Sequence, residues 1–529
     1  MRARAIVWCL VVVLLGTIVA LDVSSMRHLS LTYDEEQHLL YGQNILDHDS
    51  RRFDDSKMPM SVLNALPSAI VNRLRPGALT TTQSKIEAGR YVTVFFTLLV
   101  ALCVFTWTHE LYGAKAGLLA LTLYTFDPNL LAHSQLVTTD LYATGTITFA
   151  LYAFWRYLRR GTWSAATIAG VALGLAQIAK YTAVALFPLF ALTALLFHAR
   201  EISRELSERR VGALKNRLTH FVGWSLLFIV LALAVINAGF LFNRTGSPLR
   251  SYTFRSDTFR AIQKSAGLLN RVPLPLPHPY LEGLDWVVQR ERTGEGYGNL
   301  YLFGEIRHGA GFAGYYLYAA LYKVPLGTQL VVLVALLTLA ARLRRSDDLK
   351  NEWVILVPIA FYVVYFNFFY RAQIGIRFFL VVFPLLYVLA GSLLKNERTL
   401  SRRATVGLTA AIAGLVISVL SSYPHFLPYV NELIGDKRLA YKKLADSNID
   451  WGQQSWYVEQ YLASHPGVIV EPDSPTTGTI LVGVNALTGV TGEPETFKWL
   501  RDNFLPVDDI AHAVLIYRVT PSDLERLRE

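Results

Sequence analysis

Apolar runs of about 17 residues or more recur from one end of the sequence to the other, and that recurrence leaves few folds open. A hydrocarbon core about 30 Å thick needs roughly 20 residues of helix to cross it. Inside lipid, every backbone N–H and C=O must find its partner within the protein, so such runs close as helices. Spans are expected at 4–21, 91–111, 115–131, 137–157, 163–179, 181–198, 219–241, 312–340, 353–369, 377–394 and 404–422. The run 312–340 opens with a Tyr-rich stretch, which places its membrane portion in the second half. The sequence therefore describes a polytopic α-helical membrane protein with about eleven transmembrane helices. Composition agrees: 17% of the 529 residues are charged, against about 25% in soluble proteins.

The net charge of +10 could suggest a nucleic-acid partner, but its distribution does not. With the N-terminus inside, Arg2 and Arg4, Lys115, Arg156 to Arg160, Arg200 to Arg217, Arg342 to Lys350 and Lys395 to Arg403 all fall on one side. Every short, strongly basic loop lands there, as the positive-inside rule requires, and one helix more or fewer would break the pattern. The charge thus reads as topology in a multi-pass inner-membrane protein, with no nucleic acid involved. Cys9 and Cys103 both lie inside apolar runs, which speaks against a disulfide or a metal site built on them. Residues 5–21 could form a signal peptide, but the cleavage pattern near Ala20 is weak, so an uncleaved first helix is expected.

The outer segments are then 22–90, the turn 127–140, the turn at Lys180, 242–311, 370–376 and the tail from Tyr423. Asp34–Asp47 and Pro59–Val71 have the apolar spacing of helices lying along the membrane surface. Segment 242–311 is rich in Pro, Gly and aromatic residues and reads as irregular but ordered. It includes a glycosylation-type triplet, Asn243-Arg-Thr245, of a kind common by chance. The chain divides into a membrane part, 1–422, and an extracytoplasmic α/β domain, 423–529. In the latter, Ile480–Val484 and Val514–Val519 read as strands, and Lys437–Leu444 and Trp451–Leu462 as helices.

Candidate chemistry gathers on the outer side. Asp34-Glu35-Glu36 follows the first span; it could simply favour the positive end of a helix. A carboxylate there could equally accept the proton of a hydroxyl under attack. Lys57-Met58-Pro59, after Asp54-Asp55, offers a cation and a proline-started helix to an anion, or merely a lysine reaching the interface. Asp140 could cap the next span. His133 has no second ligand at metal spacing. Lys180, Arg307, Lys323, Arg371 and Arg377 are outer cations that escape the topology rule, as a lipid phosphate would need. The tail carries Asp446-Ser-Asn-Ile-Asp450-Trp451-Gly-Gln453, dense polar groups around a Trp, suited to a sugar surface or to a helix cap.

In this arrangement the chain resembles the GT-C membrane glycosyltransferases. The nearer likeness is to the bacterial phospholipid-carrier-dependent branch, similar to protein O-mannosyltransferases and the aminoarabinose transferase. The resemblance rests on Tyr33-Asp-Glu-Glu-Gln-His38, Phe126-Asp-Pro-Asn with His133 and Thr139-Asp140, Tyr301-Leu-Phe-Gly-Glu305 with Lys323-Val-Pro325, and Ile376-Arg377-Phe-Phe. The tail segment, Asn431-Glu-Leu and then Asp446 to Gln453, is the most distinctive part. The resemblance implies inverting transfer of a sugar from a polyprenyl-phosphate donor to a lipid, glycan or protein acceptor. It implies Asp34 as catalytic base with Glu35 beside it, and Lys57 on the donor phosphate, with Lys180, Arg371 and Arg377 as further candidates. His133, Asp140, Glu305, Lys323, Asp446, Asp450 and Trp451 are the candidates for substrate contact. A divalent metal is possible, although Ser56 stands where that branch has a carboxylate before the lysine. Two other classes compete: a transporter using these charges as substrate ligands, and a non-catalytic binder of the lipid carrier. Transporter sites lie near the bilayer midplane between repeats; here no repeat is visible and the unusual charges fall at one face.

Overall fold

The computed structural model describes residues 2–49, 57–344, 349–397 and 400–528. Asp54, Asp55 and Ser56, together with the basic loop residues Arg345 and Arg398, lie outside the described residues.

Helix forms in all eleven apolar runs. Five helices are by themselves long and apolar enough to cross a membrane: Arg4–Met26, Thr82–Tyr112, Val211–Gly239, Leu326–Arg344 and Arg402–Leu420. A sixth span arises if Tyr181–Phe197 and Ala199–Ser207, bent by 55°, are counted as one. The other runs are shorter or interrupted. Thr81 caps the long second span by accepting from Ser84 N at 3.1 Å, and Thr162 does the same for Trp163–Gln177.

The interruptions sit where polar side chains can satisfy the freed backbone groups. The run expected at 312–340 breaks at Val324-Pro325 into Tyr315–Lys323 and Leu326–Arg344, because proline cannot continue the first helix. Asn431 Nδ2 donates to the freed Leu321 and Val324 carbonyls at 2.7 Å each, so the break costs little hydrogen bonding. At Phe126 the run 115–131 breaks likewise. Asp127 caps the short helix Pro128–Ser134 by accepting from Asn129 N at 2.8 Å and Leu130 N at 3.2 Å. These breaks bring polar side chains to one end of the helical bundle.

Two expectations need correction. Segment 242–311 is more regular than its Pro and Gly content suggested. It holds helices Asp257–Ser265 and His278–Thr293 and a hairpin, β1 (Asn299–Leu302) with β2 (Glu305–His308). The hairpin turns at Phe303-Gly304, both at positive φ, which suits the right-handed strand twist. In the tail, Lys437–Lys442 is only a 3-10 turn, and the helix expected from Trp451 starts at Ser455 and ends at Ser464. Of the four residues lost from that helix, Trp451 and Gln453 bond the membrane part through their carbonyls.

The tail also carries a four-stranded sheet. Its strands are β3 (Ile469–Val470), β4 (Gly478–Gly483), β5 (Asp508–Ile510) and β6 (Val514–Val519), in the order β3-β4-β6-β5. β3 and β4 are parallel; the other pairs are antiparallel. One face, with Leu481 and Ile516, packs against Tyr457, Val458 and Tyr461 of the helix Ser455–Ser464. The other face, with Ile480, Val482, Leu515 and Tyr517, joins the main core. Alternation along β4 and β6 produces these two faces.

Candidate active site

Asp34 occupies the position before helix Glu35–Leu46, yet its side chain caps nothing. Instead Oδ2 accepts from Arg377 Nη1 at 2.7 Å. The same Arg377 nitrogen lies 3.7 Å from Asp140 Oδ2, and Asp140 Oδ1 accepts from Lys180 Nζ. Four residues from four separate segments thus form one chain of alternating charge: Asp34, Arg377, Asp140, Lys180. Arg377 keeps 8% of its side-chain surface exposed, lies over the Trp451 ring with Cζ 4.2 Å from its centroid, and has a buried Nε with no hydrogen-bond partner among the described residues.

The tail segment 446–453 brackets this chain. Trp451 O accepts from Tyr33 N at 3.1 Å and Gln453 O from Ser30 N at 2.9 Å, fixing the irregular segment that leads to Asp34. At the other end, Asn448 Oδ1 accepts from Ile376 N at 3.0 Å, fixing the turn Ile376–Phe379 that presents Arg377. Gly375, at φ +136, lets this approach happen, since a Cβ there would stand 2.1 Å from Ser447 Oγ. The distinctive tail motif therefore holds Asp34 and Arg377 to each other.

These groups line a cavity of about 1080 Å³. Asp34, Lys57, Asp140, Lys180 and Arg377 come from the helical part, and Asp446, Asp450, Trp451, Glu471 and Asn485 from the tail. Trp286, Arg290 and Tyr297, from the 242–311 segment, add a third wall. Burial would raise the Asp34 pKa, but the charge and hydrogen bond of Arg377, with help from Lys57 and His38, outweigh it and hold the carboxyl below its usual range. Asp446 goes the other way. Burial, together with Asp34 and Asp450, pushes it up to about 7 against the opposing Ser447 amide and Arg377. It sits at φ +59, an uncommon conformation for a residue with a side chain. Asn485 Oδ1 holds its amide at 2.7 Å. Asp450 accepts from Gly452 N at 3.0 Å and Gln454 Nε2 at 2.8 Å.

The remaining sequence candidates do not line the cavity. Glu35 is fully buried on Arg90, which donates Nη2 at 2.6 Å and Nε at 2.9 Å. Its oxygens also accept from Thr32 N at 3.0 Å and Val137 N at 2.9 Å. Glu35 therefore ties the start of the helix to the long second span and has no open acceptor. Lys323 Nζ donates to Leu427 O and Asn448 O at 2.6 Å each, beneath the tail motif. His133 is buried with its ring 5.9 Å from that of Trp451. Glu305 pairs with Arg307 on the exposed hairpin. Arg371 donates its amide to Glu291 at 2.8 Å and its side chain to Gly309 O. Asp140, by contrast, does line the cavity; it opens its helix but bonds Lys180, not the helix amides.

Arg90 and the individual residues of the aromatic wall escaped the sequence reading, and Asn448 entered it only as part of the tail motif. Arg90 carried the same signal as Lys180, a basic residue at the flank of a span; the wall showed only as the general aromatic richness of 242–311. Among the described residues no group of three or more His, Cys, Asp or Glu could hold a metal ion.

Comparison with known proteins places this architecture. The archaeal oligosaccharyltransferase of Archaeoglobus fulgidus, in its apo form, superposes with a TM-score of 0.50 at 15% identity over 87% of this chain. The same enzyme tethered to an acceptor peptide gives 0.51 at 15% identity over 78%. This chain spans 60% of the archaeal chain in the first match and 55% in the second. ArnT from Cupriavidus metallidurans bound to undecaprenyl phosphate gives 0.47 at 12% identity, covering 97% of this chain and 98% of that one. The chain is thus a multi-pass membrane protein with the GT-C fold. Residues 78–214 match the family described as dolichyl-phosphate-mannose-protein mannosyltransferase. No curated protein matches the sequence.

Proposed function

We propose that this protein is a glycosyltransferase that moves a sugar from a polyprenyl-phosphate donor to an acceptor at the outer face of the cell membrane, with inversion. The observation that carries the reading is the pairing, in one cavity, of a carboxylate held ionised with three cations that the helical part supplies. Two comparisons support it: the match over 78–214, and the archaeal oligosaccharyltransferase, which shares the fold and has been seen with an inhibitory peptide and a dolichol-phosphate. In this reading residues 1–422 hold the lipid-linked donor and 423–529 close the cavity from outside. Loop charge sets the orientation, with the N-terminus in the cytoplasm.

Asp34 is the general base. Its Oδ2 stays on Arg377, and Oδ1, which has no hydrogen bond among the described residues, takes the proton of the attacking acceptor group. That attack breaks the bond between the anomeric carbon and the phosphate oxygen, and the polyprenyl phosphate leaves with the electron pair. Lys57, Lys180 and Arg377 stabilise the charge that grows on it. Asp140 pairs with both Lys180 and Arg377 and so keeps the two cations beside each other for the phosphate. Asp446, Asp450 and Trp451 face the sugar or the acceptor. Glu35 serves by position, through Arg90.

The test is Asp34→Asn, purified and reconstituted with a polyprenyl-phosphate-linked mannose as donor. The variant should keep its melting behaviour and its binding of polyprenyl phosphate while transfer falls by about 10²–10⁴, the usual worth of a general base. Wild-type transfer rates in that variant would remove Asp34 from the role.

A further inference from the structure

One part of the outer surface breaks the rule that fixed the topology and takes no part in the cavity. After Gly239 the chain leaves the span Val211–Gly239, makes an excursion, and returns to where it left. Gly246 N bonds Leu274 O at 3.0 Å, Pro248 bridges Pro273, and Asn237, still within the span, donates Nδ2 to Pro275 O at 3.0 Å. The base of the excursion is therefore fixed to the end of a membrane helix. Between 242 and 277 the sequence has six cations, Arg244, Arg250, Arg255, Arg260, Lys264 and Arg271, against one carboxylate, Asp257. On the outer side of a membrane such a balance is unexpected.

The excursion has its own small core, Tyr252 and Phe254 packed with Leu281. Its far side is apolar in the wrong place for a protein bathed in water. Leu268 is 81% exposed and Leu269 69%, with Ile262 and Val272 half exposed beside them. Exposed leucines among exposed lysine and arginine form the surface of a segment that lies in the headgroup layer, its side chains entering the acyl boundary while its cations meet phosphates.

We propose that the 248–273 excursion is a docking surface for the anionic phospholipids of the surrounding bilayer, with Leu268 and Leu269 inserted and Lys264 and Arg271 on the headgroups. The contact reaches the cavity through Asp285. That carboxylate accepts from Arg255 N at 2.6 Å and from Ser256 N at 3.0 Å, on the same helix His278–Thr293 that carries Trp286 and Arg290 to the cavity wall. Docking sets the height of that wall above the lipid. The inference needs only the membrane topology and stands or falls separately from the assignment of Asp34.

The experiment uses full-length protein with Cys9 and Cys103 replaced by alanine and an environment-sensitive fluorophore on Leu268→Cys. A control carries the fluorophore on Asp473→Cys, exposed on the tail. Both are placed in nanodiscs of phosphatidylcholine with or without phosphatidylglycerol, some lipids bearing a nitroxide near the headgroup. The label at 268 should be quenched, the control should not, and quenching should strengthen with phosphatidylglycerol and weaken in high salt. Lys264→Glu with Arg271→Glu should weaken the engaged state by about fivefold or more per charge reversed. Equal quenching at 268 and 473 overturns the proposal. So does quenching indifferent to phosphatidylglycerol, or shielding of the 268 label that grows with protein concentration in detergent, which would make the surface a contact between two copies.

Discussion

Replacing Arg377 with methionine removes the guanidinium that faces Asp34 at 2.7 Å and Asp140 at 3.7 Å while keeping most of the side-chain volume. Asp140 retains Lys180, so the carboxylate left uncompensated is Asp34. Breaking a buried pair on one side costs about 3–5 kcal/mol. Asp34 keeps 19% of its side-chain surface exposed, so water screens part of the loss and about 3 kcal/mol is expected at neutral pH. The pH dependence gives the sharper signature. Asp34 has a folded pKa below its unfolded one, so the wild type holds that stability above the unfolded pKa and loses it as pH falls through the folded one. Without Arg377 the burial contribution dominates, the Asp34 pKa rises, and the protonated form becomes the favoured one. The gap between wild type and variant should therefore be widest at neutral pH and close as pH falls below the ordinary carboxylate range. Apparent melting in detergent, followed across pH, measures it. Arg377→Met with Asp34→Asn should recover most of the loss, because neither partner is then left charged. A variant as stable as wild type at neutral pH, or a double variant no better than the single, would refute the reasoning.

Other outcomes follow from the same geometry. Glu35→Ala leaves Arg90 buried and unpaired and strips two amides of their acceptor, so it should cost about 3–5 kcal/mol in stability and lower protein yield; Asp34→Asn, by contrast, should melt near wild type. Asp446, raised to about 7, loses stability as pH rises through that value. Asp446→Asn should thus melt higher than wild type above about 7 and match it in acid, while the left-handed backbone tolerates asparagine equally. Gly375→Ala forces a Cβ against Ser447 and strains a positive φ, at about 1–3 kcal/mol. It should weaken binding of polyprenyl phosphate, read by thermal shift, by displacing Arg377.

Much of the helical part was legible because lipid imposes a simple demand: a run long enough to cross must be helical, and its flanking charge reveals its side. That demand says little about where a helix breaks. Val324-Pro325 was a marked break point, but the carbonyls it frees are satisfied jointly by nearby Gln329 and by Asn431, more than a hundred residues away. Helix His278–Thr293 was hidden because prolines and glycines surround it, and because its inward face is set by the cavity and the excursion, not by a local apolar stripe. In the tail, β4 and β6 declared themselves by alternation. The segment 451–454 looked helical, but Trp451 and Gln453 turn their carbonyls to the Tyr33 and Ser30 amides instead.

The sequence by itself determined the class of fold and the approximate place of the apolar helices, because those depend on composition along the chain. Only the tertiary structure decided which of the unusual charges belong together. Asp34 and Glu35 are neighbours in sequence, and one position of helical rotation sends the first into the cavity on Arg377 and the second into the core on Arg90. Lys180, Arg371 and Arg377 carried the same outer-cation signal, yet Arg371 is engaged elsewhere. These buried carboxylates are stabilised by a counter-charge, and that partner lies 55 residues away for Glu35 and 343 for Asp34.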